Sequence, residues 1–163
     1  MDGVHMLRLV VPKSAIDLNG HVNNIEYLRW MQAIATSHSA ACGWTLERYL
    51  QTQSSWVVRS HRIEYLRPVF AGQTLLLLTW IAAIGQHESI RRYLFWREGD
   101  RRMIAQAETA WVFVSARTGR KIRIPDDFRQ SFRLLDDEQA LLQRLEAGTY
   151  ETDQRIEILQ NLA

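Results

Sequence analysis

The chain has 163 residues, 47% of them apolar and 23% charged, which suits one globular domain with a substantial core and excludes a disordered tail protein. Lysine plus arginine number 20 against 18 acidic residues, and a formal charge of +2 excludes a surface built for non-specific nucleic-acid or membrane binding. Only Lys13 and Lys121 are lysines, so arginine, which grips phosphate bidentately, dominates the cations.

Cys42 is the single cysteine, so intramolecular disulfides and multi-cysteine zinc sites are excluded. No metal is expected, because no spacing brings three or four ligands together, and no redox cofactor is implied. The N-terminus lacks the basic and apolar regions of a signal peptide. The longest apolar stretch, residues 75–84, is too short to span a bilayer. A cytoplasmic protein without membrane or nucleic-acid partners is expected.

In chain order, residues 4–11 read as a β-branched-rich strand closed by Pro12, followed by a loop to about Val22. A helix is predicted from Asn23 to about Cys42, with Tyr27, Leu28, Met31, Ile34 and Ala35 on one face and Gly43 as its C-terminal stop. Its other side carries Trp30, Ala33, Ser37 and Ala40, leaving a narrow polar strip at Arg29, Gln32, Thr36 and Ser39. Such a helix is expected to be wrapped on all sides.

Four strands are predicted next, at about 55–66, 74–84, 89–97 and 103–116, separated by glycine-bearing turns. In the last, Met103, Ala105, Ala107, Thr109, Trp111 and Phe113 alternate with mostly more polar residues, and the small alanines would let a helix approach. Strand, long helix, four strands: this order predicts an α+β fold, a curved antiparallel sheet around one central helix, the hot-dog architecture.

After Pro125 short amphipathic helices are predicted at 126–135, 137–145 and 152–162. Leu141, Leu142, Leu145, Ile156 and Leu159 call for burial, with a partner subunit as one candidate surface. The expected organisation is a hot-dog domain over 1–132 and a helical extension over 133–163.

The segment richest in chemistry is Asp17-Leu-Asn-Gly-His-Val-Asn-Asn-Ile-Glu-Tyr27, a polar cluster leading into the most apolar helix. Together with Ile63-Glu-Tyr-Leu-Arg-Pro68, Gly72 and Cys42-Gly43, it resembles the hot-dog thioesterases. The similarity is to 4-hydroxybenzoyl-CoA thioesterase-like enzymes and, in its D-x-N-x-H-V-N-N form, to plant acyl-ACP thioesterases. The resemblance covers about residues 4–128.

That resemblance implies that Asp17 attacks the thioester carbonyl or activates water, and that the Asn24 N–H holds the carbonyl oxygen. It also implies that Asn19 and His21 position water or substrate. A carboxylate near a helix start is held by the positive end of the helix dipole, and Gly20 would permit close backbone approach. Pro68-Val69 stands where the plant enzymes carry Glu-Cys, and Ala15 where a D-x-D prelude has its first Asp. CoA is therefore favoured over acyl carrier protein as the thiol carrier.

Substrate-binding candidates are Gly20, Asn23, Tyr27, Trp30 and Trp56, the tryptophans as walls of an acyl or aryl pocket. Arg59, Arg62, Arg117, Arg120 and Lys121 are candidates for the CoA phosphates. Against these stand plainer roles: Asp17 and Asn23 as turn and N-cap residues, the tryptophans as core, and the arginines as a solvated edge. His38 reads as a hydrogen-bonded core or interface histidine, His61, Glu64 and His87 as surface or interface groups, and Cys42 as a small buried helix-end residue.

The family implies a homodimer or dimer of dimers, sheets joined edge to edge with the active site between subunits. The expected activity is acyl-CoA hydrolysis. The alternatives are a non-catalytic acyl-CoA binder and a hot-dog enoyl-thioester hydratase, whose Asp and His are usually separated by four residues, whereas Asp17 and His21 have three between them.

Overall fold

The computed structural model describes residues 3–135 and 137–150. Strands β1 (Val4–Val10), β2 (Ser54–Tyr65), β3 (Thr74–Ile84), β4 (Glu88–Arg97) and β5 (Arg102–Ser115) pair antiparallel in the order β1-β3-β4-β5-β2, leaving β1 and β2 as the edges. Between β1 and β2 run the central helix α1 (Asn24–Ala41) and a short helix α2 (Leu46–Gln51). This is the α+β hot-dog arrangement, with every predicted strand present to within two residues at each end.

Tyr27, Trp30, Met31, Ile34 and Ala35 of α1 pack on Leu7, Leu9, Leu75, Leu77, Phe95, Ala105 and Ala107 of the inner sheet face. Ala105 and Ala107 present methyl groups where larger side chains would hold the helix away. The helix is not wrapped on all sides, as its composition suggested. Ile25 (56% exposed) and Leu28 (37% exposed) face outward, because sheet covers only one side of α1.

The alternation predicted along β5 breaks at its start. Phe95 pairs with Ala105 but Trp96 with Met103, so Ile104 is the extra residue of a bulge and Met103 turns to the outer face. The Ile104 carbonyl accepts the N–H groups of Leu66 (2.8 Å) and Arg67 (3.1 Å), just past the end of β2.

Helix α2 lay outside the predicted elements. Thr45 caps it, its hydroxyl accepting the Arg48 N–H at 3.3 Å, yet none of its six residues is buried, so its pattern gave no amphipathic signal. Helix α3 (Asp126–Ser131) ends earlier than predicted. Phe132 leaves the helix in extended conformation to stack at 4.5 Å on Phe128, in a cluster with Trp44 and Phe113.

Helix α4 (Glu138–Ala147) covers the outer face of its own sheet rather than a second subunit. Leu141 and Leu145 are buried there against Met6, Leu76, Leu78, Trp80, Leu94 and Trp96, each worth about 1.5–3 kcal/mol of apolar burial. Gly148 at φ +70° stops the helix. The helix predicted at 152–162, with Ile156 and Leu159, lies outside the described residues. Among the described residues no helix is long and apolar enough to cross a membrane.

Candidate active site

The loop before α1 is a hairpin closed by an isolated bridge between Ile16 and Val22. The Asp17 N–H donates to the His21 carbonyl (2.9 Å), and the Gly20 N–H donates to the Asp17 carbonyl (3.0 Å). Gly20 adopts φ +78°, a left-handed conformation that an L side chain resists, and nothing lies within 4 Å of where its Cβ would be. The glycine therefore answers a backbone need and leaves open space above it among the described residues.

The Asp17 carboxylate accepts the Asn19 N–H on Oδ1 at 2.8 Å, and the Asn23 side chain caps α1 by accepting the Ile25 N–H at 3.0 Å. Both plain roles are thus realised, and both fix the geometry of the turn. The loop is clamped from below, with the Asn23 N–H on the Ala15 carbonyl (2.8 Å) and the Val22 N–H on the Val69 carbonyl (2.9 Å). The second contact joins it to the segment after Pro68.

Glu26 donates its N–H to the Asn23 carbonyl (2.9 Å), which leaves the Asn24 N–H without an acceptor among the described residues. Asn19, His21 and Asn24 are exposed, and His21 packs edge-on against Phe70 at 5.3 Å. Leu18 projects fully into solvent from the tip.

Tyr27 and Trp30 do not line an open pocket. Both are buried in the core, their rings tilted against each other at 5.5 Å and packed on Phe95, and burial pushes the Tyr27 hydroxyl up to about 12. They hold the first turns of α1 on the sheet. Tyr65 meets Tyr27 edge-on at 5.0 Å, so the C-terminal end of β2 lies against the start of α1.

A separate cavity of about 550 Å³ opens at the other end of α1. Its aromatic walls are Trp44, Tyr49, Trp56, Trp111 and Phe128, and its roof is the face of α1 from Gln32 to Ala40. Trp56 is therefore a pocket wall, its indole N–H donating to the Tyr49 hydroxyl at 3.2 Å. At 1.5 Å rise per residue, the roof lies about 12 to 24 Å from Asn24 along the helix. One chain does not bring Trp56 to Asp17.

Arg117 lines the cavity, and Arg120 follows it in the exposed turn after β5. Arg59 and Lys121 both reach Glu88, at 2.7 and 3.3 Å, leaving that end of the sheet cationic. Arg62 sits elsewhere: it pairs with Glu64 (3.0 Å) and lines a smaller cleft of about 290 Å³ on the outer face beside α4.

The residue not singled out from the sequence is Arg91, on the inner face of β4. It is 5% exposed, lines the large cavity, and its Nη1 donates to His38 Nδ1 (2.8 Å) and Thr79 Oγ1 (3.4 Å). Burial, the Arg91 charge and stacked His5 hold His38 down at about 3, so it accepts as a neutral ring. The only sequence signal was an arginine at an inward position of an apolar strand.

A family model described as thioesterase-like superfamily matches residues 11–132. No curated protein matches the chain significantly in sequence. Among solved structures the chain is similar to a 1,4-dihydroxy-2-naphthoyl-CoA thioesterase from Synechocystis, with 17% identity, TM-score 0.72, and 79% of this chain and 95% of that one covered. It is similar also to a 4-hydroxybenzoyl-CoA thioesterase variant with an Asp-to-Asn substitution, complexed with 4-hydroxybenzoyl-CoA. There identity is 16%, the TM-score 0.75, and coverage 80% of this chain and 99% of that one. A protein from Lactobacillus plantarum with the provisional name oleoyl thioesterase matches at 17% identity and TM-score 0.76 over 80% of this chain; the chain spans about half of that protein's length, 51%.

Proposed function

The chain belongs to the thioesterase-like superfamily, and from that premise we propose that it is an acyl-CoA thioesterase, splitting a thioester into a carboxylic acid and the CoA thiol. The observation that carries this function is the rigid turn that holds the Asp17 carboxylate one hairpin away from the free Asn24 N–H at the start of α1. Asp17 attacks the thioester carbonyl carbon or takes a proton from the attacking water. The Asn24 N–H and the positive end of α1 stabilise the oxygen as it gains charge. Asn19 and His21 position the water or the substrate, and His21 is the group able to protonate the departing thiolate.

The working unit is a homodimer joined through the β2 edges. Twelve residues of β2 form an edge that includes the exposed Val57 and Val58, and Ile25 and Leu28 of α1 add apolar surface beyond it. One end of β2, Ser54–Trp56, lines the cavity, while its other end, Tyr65, packs at the start of α1. Antiparallel pairing of two β2 edges about a two-fold axis sets the cavity end of one chain beside the Asp17 end of the other. The acyl group then occupies the cavity of one subunit, its carbonyl meets Asp17 of the partner subunit, and Arg117 and Arg120 face the CoA phosphates.

Thiol release from a panel of saturated, aromatic and enoyl-CoA esters and the matching acyl carrier protein esters tests this directly. Free CoA from saturated or aromatic esters is expected. Loss of enoyl absorbance without thiol would instead make the protein a hydratase, and no reaction would make it a binder.

A further inference from the structure

Arg91 carries a positive charge into the protein, and no anion among the described residues meets it. Among the described residues no carboxylate lies within ion-pair distance of its guanidinium, and none lines the cavity, whose charged members are Arg91 and Arg117 alone. The groups whose charge would support Arg91 are Tyr93, Tyr49 and Cys42, all raised by burial and therefore neutral at ordinary pH. His38 and Thr79 are neutral acceptors, and both use Nη1, which leaves Nε and Nη2 without a protein acceptor among the described residues. The Trp44 indole N–H, on the same cavity wall, is also buried without an acceptor. A charge held in this state is unfavourable unless something else neutralises it.

The position of Arg91 says what that something is. The cavity crosses the sheet from Ser54–Trp56 on edge strand β2, past Trp111 on β5, to Ser89 and Arg91 on β4. Arg91 therefore lies two strands, about 10 Å, inward from the edge at which the thioester is presented. Between the two ends the walls are largely aromatic and apolar, with the neutral polar side chains of Thr36 and Ser39 on the α1 side. We propose, resting on the thioesterase reading above, that the substrate is a thioester whose acyl group ends in a carboxylate, and that Arg91 receives this carboxylate at the inner end of the cavity.

Hydrolysis is compared between suberoyl-CoA and octanoyl-CoA, and between 4-carboxybenzoyl-CoA and 4-methylbenzoyl-CoA; the two pairs distinguish an aliphatic from an aryl spacer. In at least one pair the carboxylate is expected to be favoured about 100-fold or more in kcat/KM. In Arg91→Met, which fills similar volume without charge, that ratio is expected to fall to about 3 or less, whatever the absolute rates. Preference for the neutral ester in both pairs, or an unchanged ratio in Arg91→Met, overturns the proposal.

Calorimetric titration of the unmodified protein with suberate and terephthalate, against octanoate and 4-methylbenzoate, needs neither turnover nor the variant. Tighter binding of one of the two dianions is expected. If no ester releases thiol but a dianion still binds more tightly, the hydrolase function falls and the Arg91 site stands. Binding no tighter than that of the monoanions sinks the site.

Discussion

Arg91 Nη1 donates to His38 Nδ1 at 2.8 Å, joining the middle of β4 to the last turns of α1 in a place that water scarcely reaches. The bond requires a neutral imidazole, because a protonated ring would offer no lone pair and would set two cations together. One contact thus couples the placement of the central helix to the protonation of a single side chain.

That coupling predicts a pH dependence of stability. His38 sits at about 3 in the folded chain against 6.5 for the free side chain, so the unfolded state binds the extra proton first. The contribution is complete above about pH 6.5 and is lost progressively as pH falls towards 3, at up to about 1.4 kcal/mol per pH unit. Denaturant unfolding between pH 7 and pH 5 is expected to show this slope in the unmodified protein and a shallower one in His38→Asn. Equal slopes would mean that His38 is not held neutral by the fold.

The outer face makes a mechanical prediction. Leu145 is fully buried under α4, so Leu145→Ala is expected to cost about 2–4 kcal/mol, read as a lower denaturation midpoint at unchanged slope. A loss below about 0.5 kcal/mol would mean that α4 does not hold to the sheet in solution.

Much of this was legible in the sequence, for identifiable reasons. Glycine and proline punctuation delimited the strands, and the Asp17–Tyr27 string carried the turn and cap chemistry that the hairpin uses. The unbroken run Leu75-Leu76-Leu77-Leu78 alternates between inner and outer clusters, so it already signalled a strand covered on both faces. Nothing in that run says whether the outer cover is α4 of the same chain or a partner subunit, which only the packing decides. The bulge at Ile104 was not legible, because it depends on pairing with β4. Nor was Arg91: its significance lies in the absence of a carboxylate nearby, which only the packed arrangement reveals.

A site shared between two chains predicts complementation. Asp17→Asn disables one half, and Ala40→Trp, at an exposed position on the cavity roof, obstructs the other. Each alone is expected to be nearly inactive. Mixed and allowed to exchange subunits, they should regain up to about a quarter of normal activity, since half the dimers are mixed and each mixed dimer holds one intact site. No recovery, with subunit exchange confirmed by mass, would mean that each chain works alone.

The central claim is that the Asp17 carboxylate performs thioester hydrolysis, and steady-state thiol release by Asp17→Asn tests it most directly. The amide retains the acceptor that caps the Asn19 N–H but loses the anion that attacks or accepts a proton. On any acyl-CoA ester the unmodified protein hydrolyses, kcat is predicted to fall about 100-fold or more with KM little changed. A folded Asp17→Asn protein that turns over at the unmodified rate would contradict the account.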